Sequence, residues 1–538
     1  MTPITAILHN GTVVTMDSRM PRAEAVALTG DRISAVGTDE EILSLRSSET
    51  EVMDLSGGTL VPGFIESHLH LIAGGRSLIE LQLQGCASPK ELSTTLRGAT
   101  HDSPPGSWII GHGWEDAAVG KALPARSTLD AVTPSHPVYL TRRDGHALWL
   151  NSRAIERLGA ERMRALSPDH MPRDEHGCLL GILYENSVTQ AEDRLHRMLS
   201  RSYIKRAATV ALNVLVQAGI TTAHDIVTAY PGDFLLYRSL LREGKLPLRL
   251  RCSPRGVSAY STATFGLLRL LDNPMLQVGP RKYYLDGSFG AGTAYLSEPY
   301  SNDPTGTNVG MRTLTDRQLQ AAMDRSFARR APIAVHAIGD RAVELALAAQ
   351  ERAVARYGRR DVRNRLEHVQ IVDPSITPRL RDSGLIVSFQ PNFLYEIEMT
   401  TQRVGEERLK RCYLIRDFAD AGVPIIFSSD WPYGGGDYPL KPDGSRFRAF
   451  EPVLGIHASI SRLGLNPPQA ITVERALAAY TRTAAWAHYQ ETDKGTISPG
   501  KLADLAVLSQ DITRTPTEAI LDTEVTMTLV GGKTVYAQ

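Results

Sequence analysis

The stretch Pro62-Gly63-Phe64-Ile65-Glu66-Ser67-His68-Leu69-His70 governs how the rest of the chain is read. A short apolar run ends in H-x-H. Side chains two residues apart on a strand share a face, so His68 and His70 offer two imidazoles to one point. Neutral imidazole is a common ligand for divalent metals. Two ordinary polar residues at a strand end would look the same, so this fragment alone divides about evenly between a metal site and a plain strand terminus.

Other strand-like runs end in the same way. His336 closes IAVH, His368 closes RLEH, and Asp430 follows IIFSS. Between and around them lie helix-like stretches: residues 203–219 (YIKRAATVALNVLVQAG), 316–330 (DRQLQAAMDRSFARR) and 340–358 (DRAVELALAAQERAVARYG). Strands alternating with amphipathic helices imply βα units on a parallel sheet, and this many units favour closure as an α/β (β/α)8 TIM barrel. In such a barrel the C-terminal strand ends converge on one face, where active sites are built. A single histidine after a strand usually packs or sits at the surface. Four histidines and an aspartate, all at such ends, point to a metal site.

The barrel is expected over residues 63–485, with an insertion after the first βα unit, residues 80–185, rich in Pro, Trp and Arg. The ends read differently. Residues 6–17 (AILHNGTVVTMD) and 23–37 (AEAVALTGDRISAVG) are short strands around Asn10-Gly11 and Gly30-Asp31, which are hairpin signals because these residues tolerate positive φ. A helix is expected around Asp39 to Arg46. Residues 494–509 and 525–537 repeat this style at the C-terminus. Residues 1–62 and 486–538 are therefore expected to form one small composite β-sandwich domain, since pairing the two ends removes an open sheet edge.

Composition narrows the function. Lys+Arg and Asp+Glu are 59 each, so no net charge draws the chain to nucleic acid or an acidic membrane surface. The basic stretch from Arg359 to Arg365 reads as a solvated face. No run approaches the roughly 20 apolar residues of a membrane span, and the N-terminus has no secretory pattern. Cys86, Cys178, Cys252 and Cys412 form no C-x-x-C pair, which argues against a thiolate zinc site or a disulfide framework and for a reducing cytoplasm.

Lys282, in VGPRKYYLDGSFGAGTAYL, is ambiguous. Spacing alone makes it a surface lysine. At a strand end beside metal ions, desolvation and positive charge would favour the neutral amine, which can add CO2 to become an anionic carbamate.

Together these segments resemble the amidohydrolase superfamily, in its YtcJ-like, amidohydrolase-3 branch, which includes N-substituted formamide deformylases. The resemblance spans nearly the whole chain: VPGFIESHLH, GHGWED, RRDGHALWLNSRA, KYYLDGSFGAGTAYL, VHAIGDRAV, RLEHVQ, SSDWP and GTISPGKLADLAVL. It implies zinc, one or two ions per chain: His68, His70 and Asp430 around one, His336 and His368 around the second, and a carboxylated Lys282 between them. It also implies Asp430 as the base that takes a proton from the attacking water and returns it to the leaving nitrogen. The expected substrate is a small-molecule N-substituted amide. Cyclic amide opening, deamination, ester hydrolysis and a non-catalytic regulatory role are the alternatives. A homodimer is compatible with this class.

Around the mouth, the resemblance gives His146 of the DGH run a role on the substrate carbonyl, with a loop-stabilising network as the equal alternative. Trp114, Asp116, Arg143, Asp286 and Trp431 are expected to contact substrate, with Glu115, Asp144, Trp149, Tyr433 and Asp225 nearby. His224 has no assigned role.

Overall fold

The computed structural model describes residues 3–115, 125–159, 170–227, 230–256, 259–434 and 438–538. Two parallel sheets form its centre. One carries Phe64–Leu69, Ile220–Asp225, Arg249–Cys252 and Leu276–Val278, side by side in that order. The other carries Arg281–Tyr284, Ile333–Ala337, Arg365–His368, Ile386–Phe389 and Ile425–Phe427, again in chain order.

Backbone hydrogen bonds join the two sheets on both sides, on one of them through the residues that follow Arg249–Cys252. Lys282 N donates to Pro254 O at 2.9 Å and Gly256 N to Lys282 O at 2.8 Å. On the far side Asp430 N donates to His68 O, and His70 N to Trp431 O, each at 2.8 Å. Strands buried on both faces read as near-continuous apolar runs, and every residue of Ile333–Ala337, Ile386–Phe389 and Ile425–Phe427 is buried.

Helices connect the strands. Asp316–Arg329 starts at a capping box: Gln318 N donates to Thr315 Oγ1 at 3.3 Å, and Thr315 N to Gln318 Oε1 at 2.9 Å. These bonds satisfy amides that the first helical turn cannot. Asp340–Tyr357 buries the stripe Ala342, Val343, Ala346, Leu347, Ala349 and Ala353, the i, i+3, i+4 pattern of a helix facing a core. Helix Leu71–Ile79 lies so close to Arg201–Gln217 that a Cβ on Gly75 would stand 1.9 Å from Ala207 O.

Residues 81–184 contribute a separate mixed sheet, Leu81–Gln82, Ile109–Trp114, Val138–Arg142, Ala147–Leu150 and Ile182–Tyr184. The terminal segments build two further sheets. One uses Ala6–His9, Ala25–Thr29, Arg32–Gly37 and Glu51–Asp54. The other joins Thr12–Val14, Arg22–Ala23 and Thr59–Pro62 to Leu505–Leu508, Val525–Val530 and Lys533–Ala537. Leu8, Val26, Leu28, Leu60, Leu505, Val507 and Leu529 share one apolar cluster between these sheets.

One hairpin reading is corrected. Asn10-Gly11 does not turn Ala6–His9 back onto Thr12–Val14, because the two strands lie in different sheets. Asn10 has φ 58°, and a Cβ on Gly11 would stand 2.6 Å from Gly58 O. The chain crosses between sheets here, and the crossing needs the same residue types as a tight turn. Gly30-Asp31 does connect an antiparallel pair, Ala25–Thr29 with Arg32–Gly37. The expected helix from Asp39 is shorter than read, ending at Leu43. The four cysteines are unpaired. Among the described residues no helix is long and apolar enough to cross a membrane.

Candidate metal centre

His68 sits near the end of its strand, and His70 is the cap residue from which helix Leu71–Ile79 begins. Both Nε2 atoms reach Asp430 Oδ1, at 3.0 Å from His68 and 3.2 Å from His70. His368 completes a tight group with His68 and Asp430, their donor atoms all lying within 4.8 Å of one another. The His336 ring centre is 4.4 Å from that of His368, and its Nε2 donates to Gly287 O at 2.9 Å. Lys282 Nζ lies 3.3 Å from His68 Nε2. All six residues expected as ligands thus line one cavity, which holds about 1110 Å³ of empty space with its open mouth included.

Backbone strain aims two of these side chains. His368 has φ 80° and Asp430 φ 60°, a region non-glycine residues enter only when their surroundings hold them there, often at functional sites. The turn after each strand directs the side chain inward where regular alternation would not.

The electrostatics suit a cation. Burial opposes a charge on Asp430, yet His68 and His70 beside it hold its carboxyl well below the usual carboxylate range. Burial keeps His70 neutral, its pKa lowered to about 4, and His368 neutral, lowered to about 3. Burial also lowers Lys282 to about 8, so a neutral amine is accessible near pH 7. Neutral imidazoles around an ionised carboxylate make a donor set that fits a borderline divalent ion.

Several groups that support the centre escaped the sequence reading. Glu367 Oε2 is 2.6 Å from His68 Nδ1, and Arg365 Nε is 2.5 Å from Glu367 Oε1. Gln390 Oε1 is 2.7 Å from His368 Nδ1. Such partners fix tautomer and ring orientation in metal-binding histidines. Glu66 accepts from His68 N at 2.9 Å and Ser429 N at 3.1 Å, tying the first strand to the loop after the last; burial raises its pKa to about 8. The available signal was alternation in R-L-E-H: Arg365 and Glu367 share a face, so the charged pair must turn toward the strand interior together.

His146 lies across the cavity, 5.5 Å from the His336 ring. Its Nδ1 is 2.8 Å from Glu185 Oε2. Burial disfavours the charged ring, but the Glu185 carboxylate outweighs this and lifts its pKa to about 9. His146 is therefore an imidazolium at neutral pH.

The expected substrate contacts are redistributed. Trp114 is 1% exposed in the core of the inserted sheet, stacked edge-on against Trp149, with Nε1 donating to Leu140 O. Arg143 pairs with Glu115 at 2.5 Å, outside the cavity wall. Asp286 is fully buried and accepts from the backbone of Tyr295, Ile338 and Gly339, which holds loops together. Trp431 packs on Gly74 and Phe450. Each answers a packing or hydrogen-bonding need that residue type alone does not reveal. Asp116 lies outside the described residues. Tyr433, Asp144 and Asp225 do line the cavity, joined by Tyr284, Glu192 and Arg255. His224 is buried with both ring nitrogens unpartnered, its ring centre 3.6 Å from that of His488.

The chain belongs to the amidohydrolase family, whose model (Amidohydro_3) matches residues 51–536. It is 29% identical to the YtcJ protein of Bacillus subtilis, over 99% of both chains. It is 28% identical to an N-substituted formamide deformylase of Arthrobacter pascens, over 98% of both. A solved metal-dependent hydrolase from Pyrococcus horikoshii superposes with a TM-score of 0.75 at 26% identity, covering 95% of this chain and 99% of that one.

Proposed function

We propose that this protein is a metal-dependent hydrolase that cleaves the non-peptide C–N bond of a small N-substituted amide, formamides included. The observation that carries this is the joining of His68, His70, His368 and Asp430 beside Lys282 and His336 in one cavity. The two edge-bonded parallel sheets are read as one (β/α)8 barrel, and the end sheets as a β-sandwich. The formamide deformylase relative supports the amide class.

His68, His70, His336, His368 and Asp430 would hold one or two ions, zinc by donor chemistry. Lys282 would add a further ligand there: its neutral amine would take up CO2 and release a proton, leaving an anionic carbamate. A bound divalent ion supplies Lewis acidity, which polarises an amide carbonyl and acidifies water.

The remaining chemistry belongs to the side chains. Asp430, kept ionised, accepts a proton from the water that attacks the carbonyl carbon. It then donates that proton to the leaving nitrogen, since an amine departs poorly unprotonated. His146, held charged by Glu185, faces the developing carbonyl oxyanion and stabilises it. Tyr433 and Tyr284 shape the pocket around the acyl and amine groups.

The test couples two measurements on protein purified without chelator: metal per chain by elemental mass spectrometry, and formate released from N-substituted formamides. About two ions per chain, fewer in Lys282→Ala, with formate and amine formed in equal amounts, is the expected result. Metal bound but ammonia released from an amino-substituted ring would move the activity to deamination. No metal after growth with added zinc would overturn the hydrolase reading.

A further inference from the structure

A second, chemically distinct region lies at the strand starts. Two adjoining cavities share Arg269, Val278, Gly279 and Pro332 in their walls, and neither shares a wall residue with the metal cavity. Arg251, Arg269, Arg281, Arg325, Arg329 and Arg330 all line them. Among the described residues none of these six makes an ion pair. In a chain with 59 basic and 59 acidic residues, this concentration is local.

Helix end effects explain only part of it. Arg325, Arg329 and Arg330 lie at the C-terminal end of helix Asp316–Arg329, where cations complement the dipole. Arg251, Arg269 and Arg281 come from other elements: strand Arg249–Cys252, the turn Arg269–Leu271 and strand Arg281–Tyr284. Arg251 is held from below, with one guanidinium nitrogen donating to His488 O at 2.6 Å, while its Nε is buried without a partner. Burial and the neighbouring Arg365 lower its pKa to about 10. Two acids line the same walls: Asp272, whose Oδ1 already accepts from Val278 N at 2.9 Å, and Asp361, which pairs with Arg363 at 2.9 Å. Six guanidinium groups without an ion pair, converging from four elements on a concavity, leave an excess of positive charge that Asp272 offsets only in part and that an anion would relieve.

We propose that these adjoining cavities bind a soluble anion carrying a phosphate group. The planar guanidinium fork matches phosphate oxygens two at a time. A concave wall of this size favours a small ligand over the long basic stripe that nucleic acid requires.

The test titrates inorganic phosphate into the full-length, metal-loaded protein by calorimetry in chloride buffer. A parallel series uses the exposed double variant Arg269→Gln/Arg329→Gln, with Arg325→Gln/Arg329→Gln as a second pair. Saturable binding in the parent, weakened about tenfold or more in both variants, is expected, because each variant removes two charged hydrogen-bond donors. Amide hydrolysis and the unfolding midpoint without phosphate should stay unchanged. Affinity equal in parent and variants would put phosphate elsewhere, such as the metal end, and overturn the proposal, as would the absence of saturable binding. Sedimentation with phosphatidic acid vesicles and no binding of free phosphate would overturn the soluble source in favour of a lipid headgroup.

Discussion

The two parallel sheets build the candidate metal centre in different ways. From Arg281 to Phe427 the strands pair in unbroken register, one neighbour after the next, and Lys282, His336 and His368 follow at intervals set by that order. In the other sheet, pairing between Phe64–Leu69 and Ile220–Asp225 slips between Ile220 and Thr222 and again between Ala223 and Asp225. These shifts bring His68 and His70 to one carboxylate although His70 has left the strand. A regular sheet delivers ligands by counting. An irregular one delivers them through a bend that must be held, here by Glu66 and Asp225, which accept from His68 N and Leu71 N.

The first way to break the comparison acts where the sheets meet. Asp430→Asn keeps the shape but removes the proton acceptor, and kcat for amide hydrolysis should fall about 10³-fold, within the range for losing a general base. Asp430 is also expected to hold an ion, so metal affinity should weaken as well, and kcat is compared per metal-loaded chain at saturating zinc. A variant as active as the parent would mean another group moves the proton.

Next, Glu367→Gln tests whether the regular sheet positions the histidine of the irregular one. Metal affinity, read by competition with a chelator, should weaken about 10- to 100-fold. An unchanged affinity would make Glu367 only a partner for Arg365. The close approach behind the bend gives a third handle. Gly75→Ala places a methyl 1.9 Å from Ala207 O and should cost about 1–3 kcal/mol in chemical denaturation. A matching loss of metal would show that the helix after His70 holds that ligand in place.

The smallest expected effect sharpens the role of the inserted sheet, which supplies His146. Its folded pKa, raised from 6.5 to about 9, favours the charged ring. Its stabilising contribution is therefore complete below about pH 6.5 and is lost as pH rises through about 9. The kcat/KM profile should fall over the same upper limb, and Glu185→Gln should move that limb to lower pH by removing the counter-charge. A limb that does not move would assign it to another group.

Much of this was open in the sequence. H-x-H, IAVH, RLEH and IIFSSD each combine an apolar run with a polar terminus, and strand periodicity with βα alternation is enough to gather them at one end of parallel strands. The supporting shell was harder to read. Glu367 and Gln390 matter through ring nitrogens whose orientation depends on the neighbouring strand, and Glu66 looked like one more polar letter in the run. The substrate wall was read least well. Trp114, Arg143, Asp286 and Trp431 have residue types that suit a binding site, yet each satisfies a packing or hydrogen-bonding need, and residue type does not distinguish the two uses. Asn10-Gly11 failed for a related reason, since positive φ serves a crossing between sheets as well as a hairpin.

By itself the sequence determined the chemistry available: which residues can hold an ion, the alternation that makes the strands parallel, and the charge balance. Those are local properties, carried by residue type and spacing. Tertiary structure alone decided that His368 and Asp430 turn inward through positive φ, that Glu185 keeps His146 charged, and that six arginines from four elements meet without an ion pair among the described residues. Each depends on distances between segments far apart in the chain, and spacing along the chain does not encode such distances.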